Sequence, residues 1–482
     1  MHARRNRRIL VVGLLAALAA PGCAVNAATG SRQFSLINET QEIQMGRESD
    51  QLVGAQLGLY PDAALQAYVQ QLGARIAATT ERPGLPWTFR VVDDGAVNAF
   101  ALPGGFVYVT RGLLAYVSSE AQLASVIGHE IGHVTARHSV TQLSRQQLAQ
   151  FGLAVGSALS PTLARYGTLA GSGLSIMFLA YSRSDEQQAD ELGLRYMVRG
   201  GWDPNQMPEV FTTLERVDAE AGGGRLPNWL STHPSPANRH EHIAQAIAVL
   251  PPGFGTTVNR NPYLRRLDNL VFGADPREGF FRGAAFLHPA SRFSFTFPEG
   301  WTTANAKQSV SAVSPQEDAV VVLTLAPERS AAAAATQFFA QQGTTGAAPT
   351  RGSVGGLPAV SGPFAAATEG GTLNGDVVFV EHGGGVFRLL AYSSDARWPA
   401  YRAAADRSLQ SFAPLTDPAV LNAQPLRTDL ITLSQPTTLE ALLRARAAGV
   451  PLATLAIINQ AEARTPLAAR QIVKWVTGQP VR

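Results

Sequence analysis

Two histidines four residues apart, His129 and His133, flank a glutamate in the stretch Gly128-His129-Glu130-Ile131-Gly132-His133. On a helix, residues four apart share a face, so both imidazoles can reach one metal ion. Glu130 is displaced by about 100° from His129 around the helix. It can sit beside the metal and take a proton from a water that the metal activates. Zinc lowers the pKa of such a water towards ~7, and a carboxylate base completes the nucleophile. The chemistry implied is metal-assisted hydrolysis. Cysteine cannot contribute to the metal site: the chain has one, Cys23, so no intrachain disulfide can form and no thiolate cage can be built. The alternative is a surface helix with two unrelated histidines. Against it, Leu123, Ile127 and Val134 give the helix a stripe to bury. Gly128 and Gly132, also four apart, each disfavour the helix by about 1 kcal/mol relative to Ala, a cost with a purpose if a neighbour must approach closely.

A third ligand is needed. A histidine ten positions after the first would supply one known spacing, but that position is Ser139, and His138 falls one residue short. His138 reads as a polar packing or surface histidine. The other source is a glutamate from a downstream helix. Ser184-Asp185-Glu186-Gln187-Gln188-Ala189-Asp190 provides it, with Glu186 and Asp190 on one face. Glu186 can ligate the metal while Asp190 accepts an N–H from a ligand histidine and fixes its tautomer. Taken alone, this segment is an ordinary acidic helix start; paired with the two histidines, it becomes a ligand helix.

The elements that position these groups can be read from periodicity. Residues 39–80 are expected to be helical with a break near Gly58–Pro61, and Leu65, Tyr68, Val69, Leu72 and Ile76 recur at helical spacing. Residues 87–92 and 105–110 read as strands, with Pro103-Gly104-Gly105 as turn chemistry between them. Ser119 with Gln122 predicts a capping box opening a helix that runs to about residue 147. Residues 148–181 are rich in Ala, Gly, Leu and Ser, and read as buried or lid-like helices, with a membrane span as the alternative. A helix over about 184–199 stops at Gly200-Gly201, and Asp203-Pro204 opens the next. Gly222-Gly223-Gly224 is a loop, and residues 235–250 form the last helix of the domain.

The ordered set of motifs resembles the zinc metallopeptidases related to HtpX and the CAAX prenyl protease, particularly their soluble periplasmic relatives. The residues that carry the likeness are Asn98-Ala99-Phe100 with Pro103-Gly104-Gly105, the HEIGH helix, Ser182-Arg183 through Glu186 to Ala189-Asp190, and Thr232-His233-Pro234 followed by Arg239. They span about residues 40–250. The resemblance implies a gluzincin: a mainly helical zincin-type domain with a small sheet, holding one Zn2+ per chain through His129, His133 and Glu186. Glu130 would be the general base, with Asp190 behind a ligand histidine. It further implies that the strand at 105–110 is the active-site edge, where an extended peptide adds by backbone hydrogen bonding; Asn98, Gly105, Phe106, Val107 and Tyr108 are then the substrate-binding residues. His233 and Arg239 would steady the oxyanion, or His233 would occupy the open metal position and hold the enzyme latent.

The 482 residues, 45% hydrophobic and 16% charged, form a globular composition, and a net charge of +3 lacks the basic density of a nucleic-acid binder. Arg4, Arg5, Arg7 and Arg8 precede an apolar stretch at 9–20, of signal-peptide length. Pro21-Gly22-Cys23 resembles a lipobox, which implies a signal peptide over 1–22, lipidation of Cys23 and a periplasmic protein anchored to the outer membrane. The alternative is ordinary cleavage after Ala27 or Ala28. After about residue 270 the composition changes. Residues 292–297, 319–325, 376–382 and 386–392 read as strands, interleaved with helices near 331–341 and 397–412. No 34-residue repeat is visible. Residues 429–476 show a strand–helix–helix–strand pattern that weakly resembles a LysM-like module; a small packing or protein-contact domain is the alternative.

The fold class expected is therefore α+β, with a metallopeptidase domain over 35–265, an α+β accessory domain over 280–415 and a small LysM-like module over 428–478. The function expected is a zinc metalloendopeptidase acting on unfolded or misassembled envelope polypeptides, with peptidoglycan or envelope-protein contact through the C-terminal half. Its rivals are a largely latent protease serving as an outer-membrane assembly factor, and a scaffold with a vestigial site.

Overall fold

The computed structural model describes residues 23–145, 181–221, 229–234, 238–368 and 371–481. The expected signal segment, the Ala/Gly-rich stretch up to residue 180 and the glycine loop at 222–224 lie outside the described residues. The chain is a mixed α+β protein with two compact units. One comprises residues up to Gly54, Gly58–Gly273 and Arg427–Thr477; the other is essentially Ala274–Leu426.

In the first unit a short hairpin pairs β1 (Cys23–Val25) with β2 (Arg32–Phe34). Helices α1 (Glu39–Gln56) and α2 (Ala63–Ala77) follow, split where the sequence predicts. Asp62 caps α2 by accepting from the Leu65 amide, and Leu65, Tyr68, Val69, Leu72 and Ile76 form its buried stripe. A three-stranded sheet has the order β3 (Thr88–Val92), β5 (Phe106–Thr110), β4 (Ala99–Leu102). β5 runs parallel to β3 and antiparallel to β4.

This order corrects the expectation for residues 105–110. β5 is the middle strand, paired on both sides and wholly buried, so no peptide can add to it. Val107 is core, Phe106 packs beside Gly46, and Tyr108 donates to Asp50 (2.6 Å) and stacks on Phe100. Gly105 and Gly104 serve the turn, at φ +102° and +79°. The outer edge of β3 is taken by α2, since Gln66 and Gln70 side chains accept from the Val91 and Phe89 amides. Neither terminal strand has an outer strand partner, and with the β3 edge taken by α2, β4 is left as the edge strand among the described residues.

Helix α3 (Arg111–Tyr116) leads into α4 (Glu120–Thr135), the helix of His129 and His133. Ser119 caps α4 from the Gln122 amide as predicted, but the Gln122 carboxamide oxygen accepts from Ser118 rather than from Ser119. α4 also ends twelve residues before the expected 147. Arg137 adopts φ +58°, a left-handed conformation uncommon for a non-glycine residue, and a new helical stretch begins at 138. Glu42 and the Ile37 carbonyl hold the Arg137 side chain in place (3.0 and 2.8 Å). The N-terminal hairpin caps the end of α4: Asn26 donates to the Thr135 carbonyl and Gln33 to that of Ala136.

Helix α5 (Arg183–Arg199) opens on a Ser182–Asp185 capping box and ends at Gly200. It lies against α4 at very short range. A Cβ at Gly132 would sit 3.0 Å from the Ala189 carbonyl oxygen, and one at Gly128 3.1 Å from that of Gly193. The glycine spacing in the motif is therefore a packing requirement. Helices α6 (Gln206–Ala221), α7 (Arg239–Ala248) and α8 (Arg260–Arg266) complete the helical layer, with a one-turn helix at Trp229–Thr232. The start of α6 falls two residues after Pro204.

The second unit carries an eight-stranded antiparallel sheet and a four-stranded one. Its strands Phe293–Thr296, Ala319–Ala326, Gly371–His382 and Gly385–Ser394, and its helices Ala331–Phe339 and Trp398–Leu409, overlap the stretches read from the sequence. Its core gathers Phe286, Phe293, Phe295, Phe297, Phe387 and Phe412. His288 and His382 bond to nearby backbone. The chain then returns to the first unit. β6 (Val271–Phe272), β7 (Leu426–Thr432) and β8 (Ile472–Thr477) make a three-stranded sheet, with α9 (Leu439–Ala445) and α10 (Leu452–Asn459) between β7 and β8. Residues 427–477 thus share one compact unit with the helices around His129.

Candidate metal centre

Helical periodicity places His129 and His133 on one face of α4, and the glycine contacts bring α5 close enough for Glu186 to meet them. The Nε2 atoms of His129 and His133 are 3.0 Å apart. Glu186 Oε1 lies 3.3 Å from His133 Nε2, and Oε2 lies 3.5 Å from His129 Nε2. His233, just after the one-turn helix, brings Nδ1 to 3.3 Å from His129 Nε2 and 3.0 Å from Glu186 Oε1. One ligand atom from each of the four residues lies within 4.8 Å of the others, and all four residues are buried.

The surroundings fix the direction of the lone pairs. His129 Nδ1 donates to Asp190 Oδ1 (2.8 Å), since a carboxylate only accepts, which makes Nε2 the nitrogen aimed at the centre. Asp190 is gripped in turn by Arg239, through Nε at 2.8 Å and Nη2 at 2.6 Å. Arg239 is buried and lies over the Phe211 ring at 4.0 Å. This differs from the oxyanion position expected of it: its planar fork is committed to Asp190, and Nη2 comes only within 3.9 Å of Glu186. His233 faces Glu130 at 3.6 Å. Its ring packs among aromatics, stacked on Trp229 at 4.1 Å and tilted against Tyr181 at 5.7 Å.

Burial is the largest single influence on Glu130, Glu186, His129 and His133, but it does not decide the direction for all of them. It pushes the Glu130 carboxyl above the usual range. Burial acts likewise on Glu186, but His233, His129 and His133 outweigh it and hold Glu186 well below that range. Burial pulls His129 down, yet its bonds to Asp190 and Glu186 prevail and push it up to about 9. His133, which has no carboxylate on its far side, is held well below the ordinary histidine value by burial.

The donor set fits zinc. Two imidazole nitrogens and a carboxylate are ordinary zinc ligands, at about 2.0–2.2 Å. Such atoms around a tetrahedral ion lie about 3.3–3.5 Å from one another, close to the separations found here. Both Glu130 oxygens and Glu186 Oε2 are buried without a hydrogen-bond partner, which is costly unless something positive or a water meets them. Among the described residues no other such cluster occurs.

His129, Glu130, His133, Glu186, Asp190, His233 and Arg239 thus come together. Asn98 lies immediately before β4, its side chain accepting from the Ala99 amide, and Phe106–Tyr108 lie in the core. Cys23 opens β1. The sequence reading missed Tyr181, stacked on His133 at 3.9 Å, and Trp229. Of the two readings of His138, polar packing or surface, the structure gives packing: it is buried, with Nδ1 3.0 Å from His133 Nδ1. The one available signal was the histidine itself, five positions after His133.

Comparison with known proteins agrees with this geometry. The chain is 33% identical over 254 residues to the β-barrel assembly-enhancing protease of Escherichia coli strain K12, covering 49% of this chain and 51% of that protein. It is 37% identical over 173 residues to the mitochondrial metalloendopeptidase OMA1 of Arabidopsis thaliana, covering 35% of this chain and 33% of the other. The bovine mitochondrial metalloendopeptidase OMA1 is 33% identical over 230 residues, covering 45% and 43%. The chain spans about half the length of the curated relatives it matches, or less. Residues 63–247, which contain every group of the centre, match Peptidase family M48. The chain carries a Peptidase family M48 domain.

Proposed function

We propose that this chain is a zinc-dependent endopeptidase that hydrolyses peptide bonds in misfolded or stalled envelope polypeptides. The observation that carries this reading is the convergence of His129, His133 and Glu186 beside a buried Glu130 whose two oxygens have no partner. His129, His133 and Glu186 would hold one zinc ion, which as a Lewis acid activates water and polarises a carbonyl oxygen. Glu130 takes the proton of the attacking water on a carboxylate oxygen and hands it to the leaving amine nitrogen. Asp190, clamped by Arg239, keeps the His129 proton on Nδ1, so Arg239 acts through Asp190.

The substrate would lie extended along the outer edge of β4, which has no strand partner and packs on α4; because Ala99–Leu102 are buried, that edge must be uncovered before a peptide can pair with it. Pairing through backbone groups makes little demand on substrate sequence, which suits unfolded polypeptides. The relatives named as proteases and metalloendopeptidases support peptide-bond hydrolysis. The cationic start, the apolar stretch and Cys23 support a periplasmic protein anchored to the outer membrane by a lipid; among the described residues no helix is long and apolar enough to cross a membrane. For residues 428–478 a packing role is favoured over glycan binding, because Lys474 is buried against the 115–117 backbone.

A second reading is favoured by His233. Its Nδ1 stands among the ligand atoms, and the backbone amide of Trp229 donates to the Val97 carbonyl just ahead of β4 (3.2 Å). The segment 229–233 therefore occupies the place where a substrate would approach. In this reading the protease is held latent and serves as an assembly factor until the segment withdraws.

One experiment separates these readings. Bound zinc is measured and cleavage of an unfolded protein is assayed for wild type, Glu130→Gln and His233→Ala. The enzyme reading expects one zinc per chain and loss of cleavage in Glu130→Gln; equal cleavage by the two rules it out. A His233→Ala variant more active than wild type establishes latency, and one less active gives His233 a catalytic role.

A further inference from the structure

The two ligand histidines are supported differently. His129 leans on a carboxylate, the common arrangement behind a metal-bound imidazole. Behind His133 there is instead another imidazole. His133 Nδ1 lies 3.0 Å from His138 Nδ1, and His138 Nε2 lies 2.9 Å from the Gln188 carboxamide oxygen on α5. His138 is 4% exposed, and Tyr181 covers His133 at 3.9 Å while bonding to Ser139 through its hydroxyl (2.8 Å).

An uninterrupted helix would not bring these rings together. Five residues advance a helix by about 140°, so His138 would point away from His133. The left-handed Arg137 turns the chain so that the two rings meet. A non-glycine residue held in that conformation persists only where its surroundings enforce it. Here Glu42 and the Ile37 carbonyl do so, both from elsewhere in the sequence.

We propose that His138 and Gln188 form a neutral relay that sets the tautomer of His133. Of the two facing Nδ1 atoms, one carries the proton and the other accepts it. The Gln188 carbonyl oxygen accepts from His138 Nε2, and Asp185 Oδ1 stands 3.7 Å from the same nitrogen. With its proton on Nε2, neutral His138 has a bare Nδ1, so the shared proton belongs to His133. His133 Nε2 is then left with its lone pair towards Glu186 and His129. A donor in place of the Gln188 oxygen would run the relay backwards and put the proton on His133 Nε2, where it blocks the metal. His138 and Gln188 are thus positioning residues, and the relay rests on the zinc-site reading above.

The test uses the full-length protein and zinc alone. Zinc affinity is measured by chelator competition for wild type, His138→Phe, Gln188→Leu and Gln188→Glu, and the imidazole tautomers are read from 1H–15N spectra of the metal-free proteins. His133 in wild type is expected protonated on Nδ1 and His138 on Nε2. His138→Phe and Gln188→Leu should bind zinc about 10- to 100-fold more weakly, and the His133 tautomer should become mixed. Gln188→Glu, which only accepts, should retain both the tautomer and the affinity. Absence of zinc binding by wild type overturns the metal-site reading and the relay with it. If wild type binds zinc and both His138→Phe and Gln188→Leu bind it equally well, or if His133 is protonated on Nε2, the relay alone is overturned.

Discussion

The interior of residues 274–426 is aromatic and aliphatic, built on Phe286, Phe293, Phe295 and Phe297, and its one buried ionisable side chain among the described residues, Asp275, is held by Arg277. The other unit buries Glu42, Arg111, Glu120, Glu130, Glu186, Asp190, Arg239 and Lys474. Most of these are matched. Glu42 meets Arg82 and Arg137, and Glu120 accepts from Tyr68, Trp202 and Asn259. Buried charge by itself therefore does not distinguish the metal centre. What distinguishes it is the convergence of three carboxylate oxygens without hydrogen-bond partners, two on Glu130 and one on Glu186, beside three imidazoles; among the described residues of 274–426 there is a single such oxygen, Asp376 Oδ2, with Arg402 3.7 Å away. A matched buried charge holds a fold in register; an unmatched one is destabilising unless chemistry requires it.

The sharpest way to break this contrast is to neutralise the unmatched group. Glu130→Gln is expected to lower cleavage about 10²- to 10⁴-fold, the range for removing a general base. It should not lower the melting temperature of the metal-free protein, because it replaces a buried carboxyl whose oxygens have no hydrogen-bond partner. A melting temperature lower by several degrees would show that Glu130 supports the fold after all. In the phenylalanine core the expected direction reverses. Phe295→Ala removes a side chain with no exposed surface, and should cost about 3–5 kcal/mol in denaturant unfolding of that unit.

A smaller effect is expected where the two ligand-bearing helices touch. Gly132→Ala gains about 1 kcal/mol of helix propensity. Its methyl group would stand 3.0 Å from the Ala189 carbonyl oxygen and 3.2 Å from the Ala189 Cα, however, and these are backbone atoms that can move only with α5. Overpacking of this kind costs about 1–3 kcal/mol, so a net loss of up to about 2 kcal/mol is expected. Because α5 carries Glu186, zinc affinity should fall along with stability. A variant more stable than wild type, with unchanged zinc binding, would show that the close approach is incidental.

Much of the centre was legible because its determinants are local. His129, Glu130 and His133 share a helix, as do Glu186 and Asp190, and the glycines that let the helices meet are spaced within the motif. What was missed depends on distant contacts. The break after α4 carries no proline or glycine; it is enforced on Arg137 from Glu42 and Ile37, about 100 residues away. Without the break His138 reads as a polar packing or surface histidine with no assigned partner, and with it His138 faces His133. The middle position of β5 was missed because β4 is the four-residue run Ala-Phe-Ala-Leu, with no β-branched residue to mark it as a strand. The strand–helix–helix–strand pattern of the C-terminal segment was readable from alternation, whereas its place beside α3 was not, because backbone carbonyls make the contact.

That contact gives the smallest and most specific effect. Lys474 Nζ donates to the carbonyls of Ala115 and Val117, each at 2.8 Å, at the C-terminal end of α3, where a cation is favoured. Complete burial, with Arg260 adding repulsion, nevertheless lowers its pKa well below the ordinary lysine value of 10.5. In the unfolded chain the lysine keeps its proton up to about 10.5, while in the folded chain it loses the proton earlier. Between those two values the unfolded state binds more protons, so the Lys474 contribution to stability rises with pH. A neutral amine can still donate to both carbonyls, so deprotonation leaves the contact intact. Denaturant unfolding of wild type and Lys474→Met at pH 7 and pH 9.5 isolates this term, since the buried tyrosines titrate alike in both proteins. The advantage of wild type should be larger at the higher pH. An advantage that shrinks as pH rises would mean that the carbonyls of Ala115 and Val117, with that of Tyr116 at 3.3 Å, hold the ammonium charged despite its burial, making this lysine a matched charge of the same kind as Glu42.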